Sequence, residues 1–437
     1  MKLERDVVIV GGGIAGVHAA IACGRAGLKT TLIEHGSTIG GLSTMGLVNP
    51  FMRYWLGSEK LIDGIFGELL DRLKEENGLL INSFDSEIMK ACMLSMLKEA
   101  NVEVVFNTIP IEVKTIESIL KSVRFFTSLG TSFEMEARYF VDSTGDGSLG
   151  FLAGAEYFSG DSNGINQAMT VMFTMSGVDF SKVIEDIRNN PSNFFSWVSP
   201  KQTIISVAGY FDEIEQAKKD GLEKLQDYFF FIQLPGESRV TVNTTHVYDL
   251  STTNPFDVSL AMVDCTEQAM VLKKFANRYI KGFEKARIEK IADVVGVRES
   301  RRIKGLYEFS GVDVMSHRKF EDGVVKACYG IDIHNSPDVD DNEKTFIPAY
   351  KDYYEIPLRS LISANFENLG IAGRCFSSDF AGHSAARIMP TCAGMGQAIG
   401  AAISLAYKKS LPLKDVNAKN VKTVLKTISN RSFPNYP

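Results

Sequence analysis

Val7-Val8-Ile9-Val10-Gly11-Gly12-Gly13-Ile14-Ala15-Gly16, running on through Ala20 and Gly27 to Glu34, is the stretch that decides the fold. A short run of β-branched residues predicts a buried strand, and Gly11 permits a tight turn out of it. Gly13 leaves the backbone bare where a pyrophosphate would approach, and Gly16 lets the following helix pack closely on the sheet. The N-terminus of that helix, at Ile14 and Ala15, offers free N–H groups and its dipole to a diphosphate. Glu34 closes a second strand, Thr30 to Ile33, eighteen residues past Gly16, where a carboxylate can take the hydrogen bonds of an adenosine ribose. A glycine-rich turn alone is a weak signal, but the strand before it, the helix after it and the acid at this distance together describe a dinucleotide cradle. NAD and FAD both present an adenosine diphosphate to such a cradle, and the acid favours a free 2′-hydroxyl over a phosphate.

The chain has 437 residues, too many for one simple core, so two or three domains are expected. A hydrophobic share of 45% with 23% charged residues is that of a globular protein and not of a disordered one. Lys and Arg number 47 against 53 acids, a net charge of −6, which argues against a nucleic-acid or anionic-membrane surface. The cysteines at 23, 92, 265, 328, 375 and 392 form no CxxC pair, so neither a zinc site nor a disulfide framework is expected. With strand residues beginning almost at Met1, no cleaved signal is expected, and no apolar run is long enough to span a bilayer. A cytoplasmic location is the expectation.

Downstream, Gly36 to Thr44 is a second glycine-rich loop whose Gly40, Gly41, Leu42, Ser43 and Thr44 suit a backbone lying against a phosphate or sugar. Helices are expected from Leu61 to Lys74 and from Asp85 to Ala100, then a strand from Val102 to Phe106 and a three-strand meander over residues 109–140. Its last strand delivers Thr144-Gly145-Asp146, at a strand end where parallel sheets place ligands. From about 161 to 345 longer polar loops and mixed elements suggest a cap or substrate domain. The cradle texture returns over 346–410, with Gly373-Arg374 after a strand and a small-residue helix that starts near Cys392, and 411–437 reads as a tail helix. In that helix Ala393, Gly394 and Met395 lie near an N-terminus whose bare amides can stabilise negative charge. The alternative for its glycines is a close helix crossing. Arg298-Glu299-Ser300-Arg301-Arg302 reads first as a solvated face, and otherwise as a place where one arginine turns inward to an anion.

Taken in order, these blocks resemble the FAD-dependent oxidoreductase family, with an α/β, Rossmann-like, discontinuous FAD domain of the glutathione-reductase type and an α+β cap. The branch is akin to the flavin subunits of fumarate reductase and heterodisulfide reductase. The resemblance implies FAD, with Gly11, Gly13, Ile14, Ala15 and Gly16 at the diphosphate and Glu34, followed by His35, at the adenosine ribose. It further implies Gly40 to Thr44 along the diphosphate and ribityl chain, and Ile109 reaching the adenine by its backbone. Thr144, Gly145 and Asp146 would lie on the adenosine side, Gly373 and Arg374 at the phosphates, and Cys392 to Met395 at the flavin ring. His383 is the first choice as proton donor or acceptor, with Arg387 and Arg301 orienting an anionic group and His334 in a further matching block. The chain departs from the disulfide reductases in lacking a redox-active cysteine pair and a second nucleotide domain. Electrons would then leave to oxygen, a soluble acceptor or a partner protein. The expected function is hydride transfer between flavin N5 and a small organic substrate, anionic if the arginines face it. The alternatives are a flavoprotein acting on a macromolecule such as tRNA, or a nucleotide-binding sensor or assembly subunit without turnover. No metal is expected, and an oligomer is compatible with everything above.

Overall fold

The computed structural model describes residues 2–334 and 350–429. The expected boundary at 345/346 and residues 430–437 of the tail lie outside them.

A mixed sheet organises the first part of the chain. Strand β1 (Lys2–Val10) enters it with Val7, Val8 and Ile9 wholly buried, and Gly11 at φ 104° turns the chain into α1 (Ile14–Arg25). Strand β2 (Thr30–Ile33) pairs parallel with β1, and β3 (Glu103–Val105) parallel with β2. Between them lie α2 (Ile65–Glu75) and α3 (Ser86–Glu99). The Asp85 side chain caps α3 by accepting from the amides of Glu87 and Ile88.

The meander is formed by β4 (Thr108–Ile116), β5 (Ile119–Thr127) and β6 (Ser132–Asp142). It is not a separate sheet. The long strand β6 pairs antiparallel with β5 through Glu134 and Met135, while its other edge runs parallel to β1 from Lys2↔Glu134 to Val10↔Asp142. One strand thereby serves the meander and places Asp142 to Asp146 beside the turn after β1. Buried Asp142 secures this loop end by accepting from the amides of Thr144 and Gly150.

The middle of the chain builds a second, antiparallel sheet. Its strands are β7 (Phe173–Ser176), β8 (Ser206–Gly209), β9 (Phe229–Gln233), β10 (Arg239–Val242) and β11 (Arg287–Ile291), ordered β8-β9-β10-β7-β11. Phe173, Phe229, Phe231, Phe275 and Phe283 are fully buried in its own apolar cluster, to which α4 (Pro255–Tyr279) contributes. The chain then returns to the first sheet as β12 (Leu369–Ile371), parallel to the C-terminal end of β6. Two helices follow, α5 (Phe380–Ala386) and α6 (Met389–Lys409). A Cβ on Gly396 would come within 2.1 Å of the Ala15 carbonyl oxygen, and one on Gly400 within 2.7 Å of that of Ala19. These two glycines are therefore the close crossing of α6 on α1. In the tail, residues Ala418–Ser429 are helical. Among the described residues no single helix is long and apolar enough to cross a membrane, and no cluster of metal-ligating side chains occurs.

Candidate active site

The three glycines of the first turn do different things. A Cβ on Gly11 would lie 2.4 Å from the Ser143 carbonyl oxygen, so the turn and the end of β6 touch only because it is absent. A Cβ on Gly16 would lie 1.9 Å from the Gly11 carbonyl oxygen and 2.6 Å from Ser143 Oγ. At Gly13 a Cβ would meet nothing within 4 Å, because that side faces open space. The space is a cavity of about 570 Å³ bounded by Gly11, Gly13, Ile14, Ala15, Glu34, His35 and Gly40 to Ser43 on one side. Thr144, Gly145, Asp146, Gly373, Arg374, Met389 and Cys392 bound another. Neither α1 nor α6 has a side-chain cap, and the first turns of both border this cavity. Two helix N-termini with orphan N–H donors thus face one elongated space.

Glu34 is 2% exposed. Its Oε2 accepts from the Gly12 amide at 2.6 Å, and its Oε1 from the Gly36 amide at 2.7 Å and from His35 Nδ1 at 2.9 Å. Burial pushes its carboxyl up, but the hydrogen bonds from His35, Gly36 and Gly12 outweigh that and hold it below the usual range. A carboxylate has about four acceptor positions, so roughly one stays free for a ribose hydroxyl, and two if exposed His35 swings away.

Arg374 borders the cavity, but its guanidinium is occupied. It pairs with Asp146 at 2.8 Å and also donates to the carbonyls of Gly145 and Val297. It is a strut joining three chain segments around the cavity, in place of the phosphate contact expected from its position. Gly16 and Thr44 lie just behind the lining, Thr44 Oγ1 donating to the Ile39 carbonyl to hold the second loop shut. Ala393 and Met395 are fully buried, and a Cβ on Gly394 would point at Val325, away from the cavity. Within the expected ring-facing block of α6, Cys392 alone lines it. Ile109 also stands outside. It is 46% exposed, because the Thr108 amide is committed to the Glu34 carbonyl and β4 then runs outward.

The expected catalytic residues separate into two groups. His383 is wholly buried and does not border the cavity. Its Nε2 lies 2.9 Å from the Arg374 carbonyl oxygen and its ring stacks on Phe376. Burial, with Arg302 and Arg387 nearby, pushes its imidazole well below the usual range, so it is a neutral anchor of the Gly373-Arg374 turn. Arg301 is likewise elsewhere, over the Phe151 ring at 4.1 Å with Nη1 on the Asp146 carbonyl. Within the arginine cluster both Arg298 and Arg302 turn inward, Arg302 into a buried ion pair with Glu299 and Arg298 toward His246.

Arg387 and His334 do come together. Arg387 lines the cavity and donates from Nη2 to the Asp332 carbonyl, while the Asp332 carboxylate lies 3.2 Å from His334 Nε2. The Ala168 amide donates to the His334 carbonyl, and Arg298 Nη1 donates to the Ala168 carbonyl at 2.7 Å. Arg298 Nη2 reaches His246 Nε2 at 3.3 Å, and the His246 and His334 rings stack. Burial, aided by Arg298, pushes both imidazoles down, whereas the Asp332 carboxylate, despite its burial, is held below the usual range by His334 and Arg387. His334 and Asp332 keep 30% and 25% of their side-chain surface accessible. Sequence reasoning missed Arg298 as an inward arginine, and missed His246 and Asp332. The one available signal was that Arg298 directly follows the apolar run Val294 to Val297.

The cap elements close the cavity with Thr252 just before α4, with Val258, Ser259 and Met262 in its first turns, and with Asp293 to Val295 and Val297 before the arginine cluster. Thr252 Oγ1 is buried there without a hydrogen-bond partner. A space floored by bare glycine backbone, ended by a ribose-competent carboxylate and faced by two uncapped helices fits a flavin dinucleotide.

Residues 6–425 match the family described as FAD dependent oxidoreductase, and the chain belongs to it. It is an enzyme whose cofactor is FAD. One stretch of 48 residues is 48% identical to a component of the ferredoxin:CoB-CoM heterodisulfide reductase of Methanosarcina mazei, covering 11% of this chain and 6% of that protein. A stretch of 40 residues is 55% identical to the dihydrolipoamide dehydrogenase of Chaetomium thermophilum, covering 9% of this chain and 8% of that protein. The matched part thus spans under a tenth of the length of these curated relatives. Among solved structures, a geranylgeranyl bacteriochlorophyll reductase-like protein from Thermoplasma acidophilum aligns over 99% of this chain and 93% of its own, at 12% identity and TM-score 0.48. The p-nitrophenol 4-monooxygenase PnpA from Pseudomonas putida DLL-E4 aligns over 99% and 90%, at 12% identity and TM-score 0.48.

The geometry of His383 sets an expected outcome. His383→Ala lowers the melting temperature and FAD retention, while turnover per bound flavin stays within about threefold of the parent. A general acid or base contributes about 10²–10⁴-fold, so a loss of that size at full flavin occupancy would restore the catalytic role.

Proposed function

We propose that this enzyme exchanges a hydride between FAD and a small anionic organic substrate, the FAD lying in a glutathione-reductase-type domain and the substrate beneath the cap. FAD supplies hydride exchange at N5. The chain's own residues orient, exclude water and handle the proton. Arg387 orients the substrate's charge. His334, held by Asp332 through Nε2, leaves Nδ1 as the position that takes or gives the substrate proton. The apolar side chains of Val258, Met262 and Val295 keep water from the reacting face. The observation that carries this reading is that Arg387 belongs at once to the wall of the FAD cavity and to the Asp332–His334 cluster.

The test begins with the absorbance spectrum of the purified protein and acid release of the chromophore. It is followed by anaerobic mixing of the holoenzyme with a panel of small hydroxy and amino acids and, after chemical reduction, with unsaturated or keto acids. Bleaching or reoxidation of the flavin by members of the panel is expected, slowed about 10²–10⁴-fold in His334→Gln at unchanged FAD content. A flavin that responds to none of them, alongside salt-resistant binding of bulk tRNA, would replace this reading with action on a macromolecule.

A further inference from the structure

We propose that Arg298, braced by His246, is the seat for one carboxylate group of the ligand, beside Arg387 in the wall of the FAD cavity. Arg298 is 7% exposed. Its partners are two neutral groups, the Ala168 carbonyl oxygen at 2.7 Å and His246 Nε2 at 3.3 Å, and among the described residues no carboxylate forms an ion pair with it. His246 Nδ1 lies 2.9 Å from the Thr244 carbonyl oxygen, so Nδ1 carries the proton and Nε2 accepts from Arg298. The imidazole is neutral and supplies no counter-charge.

The charged groups that bear on Arg298 are Arg387 and Asp332, with Tyr228 and Tyr248 beside them. Asp332 is already shared by His334 at 3.2 Å, Arg387 at 3.7 Å and the Tyr329 hydroxyl at 3.1 Å. Among the described residues, two guanidiniums, one carboxylate and two neutral imidazoles leave one positive charge uncompensated there. A buried cation without a partner is costly, and a bound anion removes that cost. A second observation points the same way, because Arg387 Nε is also buried and has no hydrogen-bond partner. The planar forks of two arginines match the flat, bidentate carboxylate. The charge count calls for a monoanion, since a dianion would overcompensate and a neutral ligand would leave the cation unpaired. The ligand class is a small organic monocarboxylate. That this carboxylate belongs to the substrate rests on the function proposed above, whereas its binding does not.

The test is calorimetric titration and thermal shift of FAD-loaded and FAD-stripped protein with propionate, propionamide, malonate and inorganic phosphate. Saturable propionate binding is expected, about ten- to a hundredfold tighter than propionamide, with malonate and phosphate no tighter than propionate. Arg298→Met should abolish propionate binding yet, without ligand, melt no lower than the parent, because it removes an unpaired buried charge. Arg298→Lys, which keeps the charge but not the fork, should bind propionate about tenfold more weakly with unchanged FAD uptake. Parent-like propionate binding in either variant overturns the proposal. A ligand-free Arg298→Met that melts several degrees lower or does not fold assigns Arg298 a structural role and also overturns it. Tighter binding of malonate or phosphate overturns the single charge. Protein that binds propionate but takes up no flavin would sink the oxidoreductase reading and leave the carboxylate seat standing, and flavin uptake without propionate binding would do the reverse.

Discussion

Gly13→Ala should leave the apoprotein as stable as the parent and strip it of FAD, whereas Gly16→Ala should damage the cradle with or without FAD. Gly13 sits at φ −68° and ψ 179°, a backbone conformation that alanine adopts freely, and its new Cβ would meet no protein atom within 4 Å. The loss of a glycine's unfolded-state freedom even favours the variant by roughly 0.4–1 kcal/mol. What the methyl group does fill is the space into which the diphosphate must come. Gly16 is the opposite case. Its Cβ would lie 1.9 Å from the Gly11 carbonyl oxygen, which is backbone and cannot rotate away, so α1 must move off the turn. Overpacking of this kind costs typically 1–3 kcal/mol, and here it also misplaces the uncapped helix end. Thermal melts of apoprotein, and flavin absorbance retained after gel filtration, separate the two. Gly13→Ala protein that keeps parent levels of FAD would show that the diphosphate does not cross this glycine.

The stability of the apoprotein should fall steeply as pH drops below about 6.5, starting well before its carboxylates protonate. His18, His246, His334 and His383 all have imidazoles pushed down, in each case chiefly by burial. His18 is pushed down to about 4. Its Nδ1 lies 2.7 Å from the Ile14 carbonyl oxygen and its Nε2 is buried without a partner. Below the ordinary imidazole pKa of about 6.5 the unfolded chain takes up protons that the folded chain refuses, so the free energy of unfolding decreases with falling pH until the folded-state pKa is reached. For His18 alone that difference is roughly 3 kcal/mol. Glu34 contributes in a separate and lower window, because its folded pKa is depressed and its share is lost only as pH falls below the usual carboxylate range. Urea midpoints at about pH 7.5 and about pH 5 measure the effect, and His18→Leu should flatten the slope between them by close to one proton. Equal midpoints at the two pH values would mean that these rings are not buried neutral.

Much of the FAD cradle was legible because it is local. A strand, a turn and a helix N-terminus are built from neighbours in the chain, and Gly11, Gly13, Gly16 and Glu34 carry their constraints with them as bare backbone and one carboxylate. The small-residue pattern of Gly394, Gly396 and Gly400 was equally readable as a crossing, although not against which helix, and Gly394 faces Val325 instead. Arg374 was legible as bordering the cavity but not as occupied, since its partners Asp146 and Val297 lie far away in the chain.

Sequence alone determined the class of cofactor site, the α/β frame that holds it and the family resemblance, since each rests on short-range rules of sterics and hydrogen bonding. Tertiary structure alone decided which polar side chains gather around Arg387 at the cavity wall. It turned Arg298 inward and Arg301 outward within one five-residue run, buried His383 as an anchor, and brought His246, Asp332 and Arg387 to one place from three segments. The physical reason is that a side chain's charge state and exposure depend on what surrounds it in space, and those surroundings come largely from residues tens to more than a hundred positions away.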